Sequence, residues 1–417
     1  MPYLPRHIAP QLYAWLEQFP VVALLGARQV GKSTFLEHQL DGWRKVDLES
    51  AAMHELVAAD PELFLRDNPD RVWFDEAQRC PALFSALRVT IDRDRRPGRY
   101  VLSGSATPRL VEGISQSLAG RAGLLQLWPL STAEAHERPP SHFLRTLLAS
   151  IEPSAFLGQL NAEPTLHEPQ LLDAWLCGGF PEPWLLTDGA RRARWFDAYL
   201  QLISERDLGE LHRDLRPVAV LRLLRMLAAR HGQVVNTAAL ARDFGCSHAT
   251  MGRFLDILEG TGLWWRLQPY HPNIGKRLVR RPKGFLADSG MLHALSAIAD
   301  LEALRTSPLL GASWEGFVLG ELMRALRRLD LSPTPHFWAT HQGAEVDLVL
   351  ERGDRLWPIE IKHAARIGGH QLKGLRSFLG SFGDRVAFAV VVHRGEQVAR
   401  LDERIVGVPA TWVGGMS

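Results

Sequence analysis

Five apolar residues run without a break from Val21 to Leu25, β-branched at the start and closed by glycine, which predicts a short strand buried on both faces. Thr34–Leu40 behind it suits a helix. Arg44–Leu48, Arg71–Glu76 and Gly98–Leu102 read as further strands with helical segments between them, up to about Pro129. That alternation predicts a parallel sheet wrapped by helices. From Leu130 to Val220 the pattern is helical, interrupted at Pro139-Pro140, Glu152-Pro153 and Gly178–Pro181, with Trp175, Trp184 and Trp195 expected in the core and Ser204–Leu208 on a solvated face. Leu223, Leu224 and Leu227 then recur at helical spacing. Thr237–Phe244 predicts a short helix, Gly245-Cys246-Ser247 a tight turn with Ser247 as N-cap, and His248–Leu258 a second helix with Phe254, Leu255 and Leu258 facing inward. Helix, glycine turn and capped helix make a helix-turn-helix. Leu263–Leu267 reads as a strand beside it and Gly275-Lys276 as the tip of a wing.

The last region alternates with period two, in Glu345–Glu351 and Leu356–Lys362. Gly353-Asp354 forms a two-residue turn that pairs Arg352 with Arg355, and glycine at its first central position suits type II′. Counting outward, Asp347 lies opposite Glu360, and Lys362 shares their face, while Val346, Leu348, Leu350, Ile359 and Ile361 pack on the other. Two carboxylates and a lysine converging beside an apolar core suit a metal site of the nuclease kind. A surface hairpin with complementary charges shows the same alternation.

The junction between the first strand and helix carries the sharpest chemistry. Gly26-Ala27-Arg28-Gln29-Val30-Gly31-Lys32-Ser33-Thr34 reads G-x-x-x-x-G-K-S. Backbone N–H groups of such a loop converge on phosphates, and the helix dipole adds to the attraction. Lys32 is expected to reach the β- and γ-phosphates of ATP, and the Ser33 hydroxyl to hold Mg²⁺. Asp75, closing the strand Arg71–Glu76, is expected to bind the same Mg²⁺ through water, and Glu76 to polarise the attacking water. Ser103 or Ser105, at the end of the strand Gly98–Leu102, lies beside the phosphates of an open sheet and suits a sensor of the γ-phosphate. Arg121 is either an arginine finger or a surface arginine.

Of 48 lysines and arginines in the 417 residues, only six are lysines, two of them Lys32 and Lys362. Lysine is a compact point charge where arginine is a planar fork, so a chain that prefers arginine has placed lysine where the chemistry asks for one. The net charge of +2 gives no global field, so any nucleic-acid surface is local. Lys276, Arg277, Arg280, Arg281 and Lys283 form a locally basic cluster, on the expected wing, and point to DNA; a winged helix serving as a protein-contact lid is the alternative. Three widely spaced cysteines exclude a disulfide framework and a cysteine-rich zinc site, and indicate a reducing cytoplasm. The start, Met1–Arg6, lacks an apolar signal core, and no uncharged run suffices to span a bilayer, so no membrane partner is expected.

Several motifs together resemble bacterial and archaeal AAA-type ATPases with a C-terminal domain called DUF4143. They are the glycine loop, Phe74-Asp75-Glu76-Ala77-Gln78, Leu102-Ser103-Gly104-Ser105-Ala106, Ser117-Leu118-Ala119-Gly120-Arg121, Gly311–Phe317 and Gly343–Asp347. The resemblance covers nearly the whole chain. It implies an ATPase core, a winged helix and a C-terminal domain similar to PD-(D/E)xK nucleases. In that pattern Glu315 matches the first-helix glutamate, Asp347 the metal aspartate, Glu360 and Lys362 the E-x-K pair, and Gln371 the later polar residue, so Glu315, Asp347 and Glu360 are the implied metal ligands. Val346 stands where the pattern has proline.

The expectation is an α/β chain: a P-loop NTPase sheet domain of the AAA/ASCE kind (1–130), a helical connector (131–215), a winged helix (216–283) and an α/β restriction-endonuclease-like domain (284–417). It would bind and hydrolyse ATP with Mg²⁺ and act on DNA, with self-association open. The alternative is an ATP-dependent switch that binds a protein partner and carries an inactive nuclease-like domain.

Overall fold

A computed structural model describes residues 2–105, 108–160, 164–207, 217–272, 281–329 and 332–416. The chain divides into two units, one of residues 1–129 with 256–263, the other of 130–255 with 264–417.

In the first unit, α1 (Ala9–Gln18) leads into β1 (Val21–Gly26), whose six residues are all buried. Then follow α2 (Lys32–Gln39), β2 (Arg44–Asp47), α3 (Ala51–Ala59), α4 (Pro61–Asp67), β3 (Val72–Asp75), α5 (Ala82–Arg93), β4 (Tyr100–Ser105), α6 (Pro108–Ser117) and β5 (Ala122–Gln126). All five strands are parallel, in the order β2-β3-β4-β1-β5, so β4 is inserted between the strand that feeds the glycine loop and the strand that ends in Asp75. One core face joins Val21, Ala23, Leu25, Val46, Phe74 and Leu102 to Leu83, Leu87 and Ile91 of α5. This is the P-loop NTPase sheet that the segment pattern predicts. Each predicted strand matches an observed one with ends shifted by one to three residues, β4 by the most, because its polar end Ser103-Gly104-Ser105 is buried within the sheet.

The second unit begins with helices. α7 (Glu168–Cys177) buries Trp175, but Trp184 and Trp195 are only half-buried, contrary to the expectation that all three lie in the core. In α8 (Pro217–Ala228) Leu223, Leu224 and Leu227 face the core. α9 (Thr237–Phe244) ends at Gly245, whose φ is +86°, and Ser247 Oγ then accepts the Thr250 N–H at 3.1 Å at the start of α10 (His248–Gly260). β6 (Trp264–Leu267) and β7 (Lys283–Leu286) form a two-stranded antiparallel sheet. Gly275, Lys276, Arg277 and Arg280 of the expected wing lie outside the described residues, as does Ala106.

After α11 (Ser289–Leu295) and α12 (Leu310–Leu326) comes a six-stranded mixed sheet: β8 (Thr334–Ala339), β9 (Glu345–Arg352), β10 (Arg355–Lys362), β11 (Ala389–His393), β12 (Ala399–Asp402) and β13 (Ile405–Pro409), ordered β12-β13-β11-β10-β9-β8. α13 (Lys373–Phe382) lays Leu375 and Phe378 against Val349, Leu356 and Val391. The hairpin register is the expected one from Arg352–Arg355 to Leu348–Ile359, and Gly353 alone of the two turn residues has positive φ, +63°, as a type II′ turn requires.

Two details depart from the expectation. Against β8, Trp338 pairs with Val346 but His336 with Val349, so β9 carries one extra residue, a β-bulge spanning Asp347. The bulge turns Val346 into the cluster holding Val349, rather than onto the face of Leu348 and Leu350. The ladder to β10 also stops one pair short of Asp347–Glu360; instead the Asp347 carboxylate accepts the Ile361 N–H at 2.8 Å.

Candidate functional site

The glycine loop leaves β1 at Gly26, where a Cβ would stand 2.4 Å from the Leu127 carbonyl oxygen, so only glycine lets the loop start there. Gln29 (φ +60°) and Gly31 (φ +92°) are left-handed, the alternation that turns successive N–H groups to one side as an anion nest. Lys32, buried at 7% exposure, donates its ammonium to the carbonyls of Gly26 (3.0 Å) and Ala27 (2.9 Å) and so lies back over the loop. Arg6, which no local pattern singles out, fixes the loop from outside. Its guanidinium donates to the Val30 carbonyl at 2.8 Å and to the Trp128 carbonyl.

Across the sheet Ser33 Oγ donates to Asp75 Oδ2 at 2.8 Å, bringing together two of the residues expected at Mg²⁺. Asp75 Oδ1 accepts Ser103 Oγ at 2.6 Å, and Ser103 in turn accepts the Trp73 indole N–H at 2.6 Å. Ser103 is thus spoken for as the support of Asp75. Ser105 pairs with Gly26 in the sheet register, and its buried hydroxyl has no partner among the described residues, so it is the better placed of the two serines to meet a phosphate. Glu76 is left-handed (φ +53°), a conformation that costs about 1–3 kcal/mol for a residue with a side chain and clusters at functional sites. The Gln78 amide donates to its carboxylate. Lys45, also missed by the pattern, stands 3.9 Å from Asp75 and over the Trp73 ring at 4.7 Å.

Arg121 does not join this group. It precedes β5, and Ala122 pairs with Val21 at the amino end of β1, about 17 Å of strand away from the loop at 3.3 Å per residue. There it makes a two-pronged pair with Asp92, at 2.7 and 2.9 Å. A finger acting on the chain's own nucleotide is excluded by that placement. Arg28, Val30 and Thr34 complete the loop with no separate role visible.

In the second unit Glu315 from α12, Asp347 from β9, Glu360 and Lys362 from β10, and Gln371 line one cleft of about 620 Å³. Lys362 pairs with Glu360, and Gln371 Oε1 accepts the Gly368 N–H at 2.8 Å. The cleft also holds Lys283, expected on an exposed basic wing. Lys283 is 4% exposed, donates to Glu315 Oε1 at 2.9 Å, pairs with Glu345 and stands 3.9 Å from Asp347 Oδ1. Burial alone would push its pKa down, but the charges of Glu315, Asp347 and Glu345 outweigh that and hold it above the ordinary lysine value. Burial, with the Asp347 charge behind it, pushes Glu315 up to about 7 and Glu360 up to about 8, against the pull of Lys283 and Lys362 respectively. Among the described residues no group of three or more His, Cys, Asp or Glu side chains is placed to hold a metal ion, so Glu315, Asp347 and Glu360 share the cleft without forming the expected ligand set. The ammonium groups of Lys283 and Lys362 sit among these carboxylates.

Three family models match the chain: an AAA domain over residues 18–136, a domain of unknown function (DUF8612) over 168–302 and a domain of unknown function (DUF4143) over 310–413. Uncharacterised proteins of Mycobacterium tuberculosis and Mycobacterium bovis are each 35% identical to it over 409 residues, covering 97% of this chain and 83% of theirs. The chain belongs to the family of AAA-domain proteins with a C-terminal DUF4143 domain. Glu315, Asp347, Glu360 and Lys362 fall within the DUF4143 match, whereas Lys283 comes from the DUF8612 match before it. Among solved structures, a Walker-type ATPase of Pyrococcus abyssi aligns with 70% of this chain and 96% of its own at 18% identity and a TM-score of 0.43. The RuvB Holliday junction branch migration motor of Thermotoga maritima aligns with 63% of this chain and 90% of its own at 17% identity and a TM-score of 0.31. No helix among the described residues is long and apolar enough to cross a membrane.

Proposed function

We propose that this chain is an ATPase. The observation that carries the reading is the Ser33–Asp75 hydrogen bond, which joins the glycine loop to the strand end carrying Glu76. The residues fit ATP with Mg²⁺: the nest at Gln29–Gly31 and Lys32 for the phosphates, Ser33 and Asp75 for the cation, and the unpartnered Ser105 hydroxyl beside Gly26. When bound, Mg²⁺ would offset charge on the phosphate oxygens. Lys32 exchanges its two carbonyl partners for phosphate oxygens, Ser103 and Trp73 hold Asp75 in orientation, and Glu76 accepts a proton from the attacking water while Gln78 holds its carboxylate in place.

DNA is the partner we propose for the helix-turn-helix of α9 and α10, on which Arg242, His248 and Arg253 are exposed. The nuclease-like reading of the last domain is likewise a proposal, supported by α12, β9 and β10 bringing Glu315, Asp347, Glu360 and Lys362 into one cleft. A second reading, the nucleotide-driven switch with an inactive cleft, is favoured by the position of Lys283 among the carboxylates. ATPase rates with and without single-stranded, duplex and branched DNA separate the two. Stimulation by one DNA form supports action on DNA. An unchanged rate together with no retention of DNA at low salt leaves the switch.

A further inference from the structure

The nuclease-like reading implies a divalent cation between Glu315, Asp347 and Glu360, and the residues of this chain do not fit one. The obstacle is Lys283. Its ammonium lies 2.9 Å from Glu315 and 3.9 Å from Asp347 and pairs with Glu345, so it draws on the same oxygen lone pairs that a cation would use. A divalent ion placed there would meet the full repulsion of the ammonium at close range in a partly buried, weakly screened site. Of the four carboxylates in the cleft, only Glu360 leaves a buried oxygen without a partner among the described residues. Mg²⁺ demands near-octahedral oxygen coordination at about 2.0–2.1 Å, and the Lys283 ammonium holds the space between Glu315 and Asp347 that such a shell needs. Residue type matters as well. A compact ammonium fits between Glu315, Glu345 and Asp347, whereas a planar guanidinium would ask for a flatter, wider site. In a chain with six lysines, one has been spent at this buried point.

We propose that Lys283 is the resident cation of the C-terminal cleft: its ammonium holds Glu315, Glu345 and Asp347 together in place of a metal ion, and the cleft binds neither Mg²⁺ nor Mn²⁺. The consequence for architecture is a charged strap from β7 to α12 and β9, joining the DUF8612 and DUF4143 segments. The inference rests on the nuclease-like reading for its frame, and the two fail in different ways.

The test counts Mn²⁺ bound to the nucleotide-free full-length chain by electron paramagnetic resonance, in the wild type, Asp347→Asn, Lys283→Met and the double variant. The wild type and Asp347→Asn should bind the same amount, and Lys283→Met should gain one equivalent that Asp347→Asn removes again. An Asp347-dependent Mn²⁺ site in the wild type overturns the proposal and leaves the nuclease-like reading standing. No gain in Lys283→Met overturns both, since the carboxylates then form no metal site even when vacated. The comparison of wild type with Asp347→Asn stands even where Lys283→Met fails to fold, and Lys283→Gln, which keeps two of the donors without the charge, provides a second route to the vacated cleft.

Discussion

Arg6 gives the most specific prediction about the nucleotide site. Its guanidinium donates to the carbonyls of Val30 and Trp128, and both residues are buried, so replacing it with methionine takes a charged donor away from two backbone acceptors. A hydrogen bond to a charged group contributes about 1.5–3 kcal/mol, so the gross loss is about 3–6 kcal/mol. The variant is spared the cost of burying a guanidinium and buries a methionine instead, which recovers roughly half of that, for a net loss of about 1.5–3 kcal/mol. Because Val30 sits inside the phosphate loop, part of the loss is loop order that ATP must restore on binding. At about 1.4 kcal/mol per tenfold, the structure predicts roughly 10-fold weaker nucleotide binding in Arg6→Met with kcat near wild type. Binding of a fluorescent ATP analogue and urea unfolding of the full chain measure the two parts. Arg6→Lys, able to reach only one carbonyl well, should fall between. Wild-type nucleotide affinity in Arg6→Met would refute the claim that the N-terminal segment organises the loop.

The remaining predictions are shorter. Ser103→Ala removes a donor to Asp75 and leaves the Trp73 indole N–H without its acceptor, so kcat should fall about 10-fold with little change in KM; an unchanged kcat contradicts a supporting role. Arg121→Ala should leave ATP affinity unchanged in a nucleotide titration, because Arg121 lies at the far end of the sheet from the loop. His231 and His293 are buried and pushed down, to about 3 and about 4. Their folded pKa values lie below the unfolded one near 6.5, so the stability they confer is full above that pH and is lost as pH falls toward 5, by about 2 kcal/mol each. Glu315 and Glu360, pushed the other way, gain stability over part of the same window, so the readout is a difference. His231→Asn, which keeps an acceptor for the Leu286 N–H, should lose about 2 kcal/mol less than wild type between pH 7 and pH 5 in urea unfolding, and an equal loss contradicts the assignment.

What could be read in advance was local. The glycine loop, the strand feeding it and the helix after it lie within a few residues of one another, and the hairpin register follows from a two-residue turn at Gly353-Asp354. The bulge at Asp347 was not legible, because it is set by pairing with β8 rather than by anything inside β9. Lys283 was misplaced for a related reason. Its basic neighbours in sequence suggest a surface, while its partners come 32 residues later and beyond. Arg6 reaches acceptors 24 and 122 residues away, a spacing no periodicity reports. The distance of Arg121 from the glycine loop is set by which end of a strand it occupies, and that depends on the strand order of the whole sheet.

Glu76 carries the central claim, that this AAA-domain protein turns over ATP at the site joined by Ser33 and Asp75. The decisive measurement is ATP binding and phosphate release, with Mg²⁺ present, in the wild type, Lys32→Ala and Glu76→Gln. The account predicts that the wild type hydrolyses ATP, that Lys32→Ala no longer binds it, and that Glu76→Gln binds it with near wild-type affinity while turnover falls by at least about 100-fold. Hydrolysis at the wild-type rate by Glu76→Gln would contradict it.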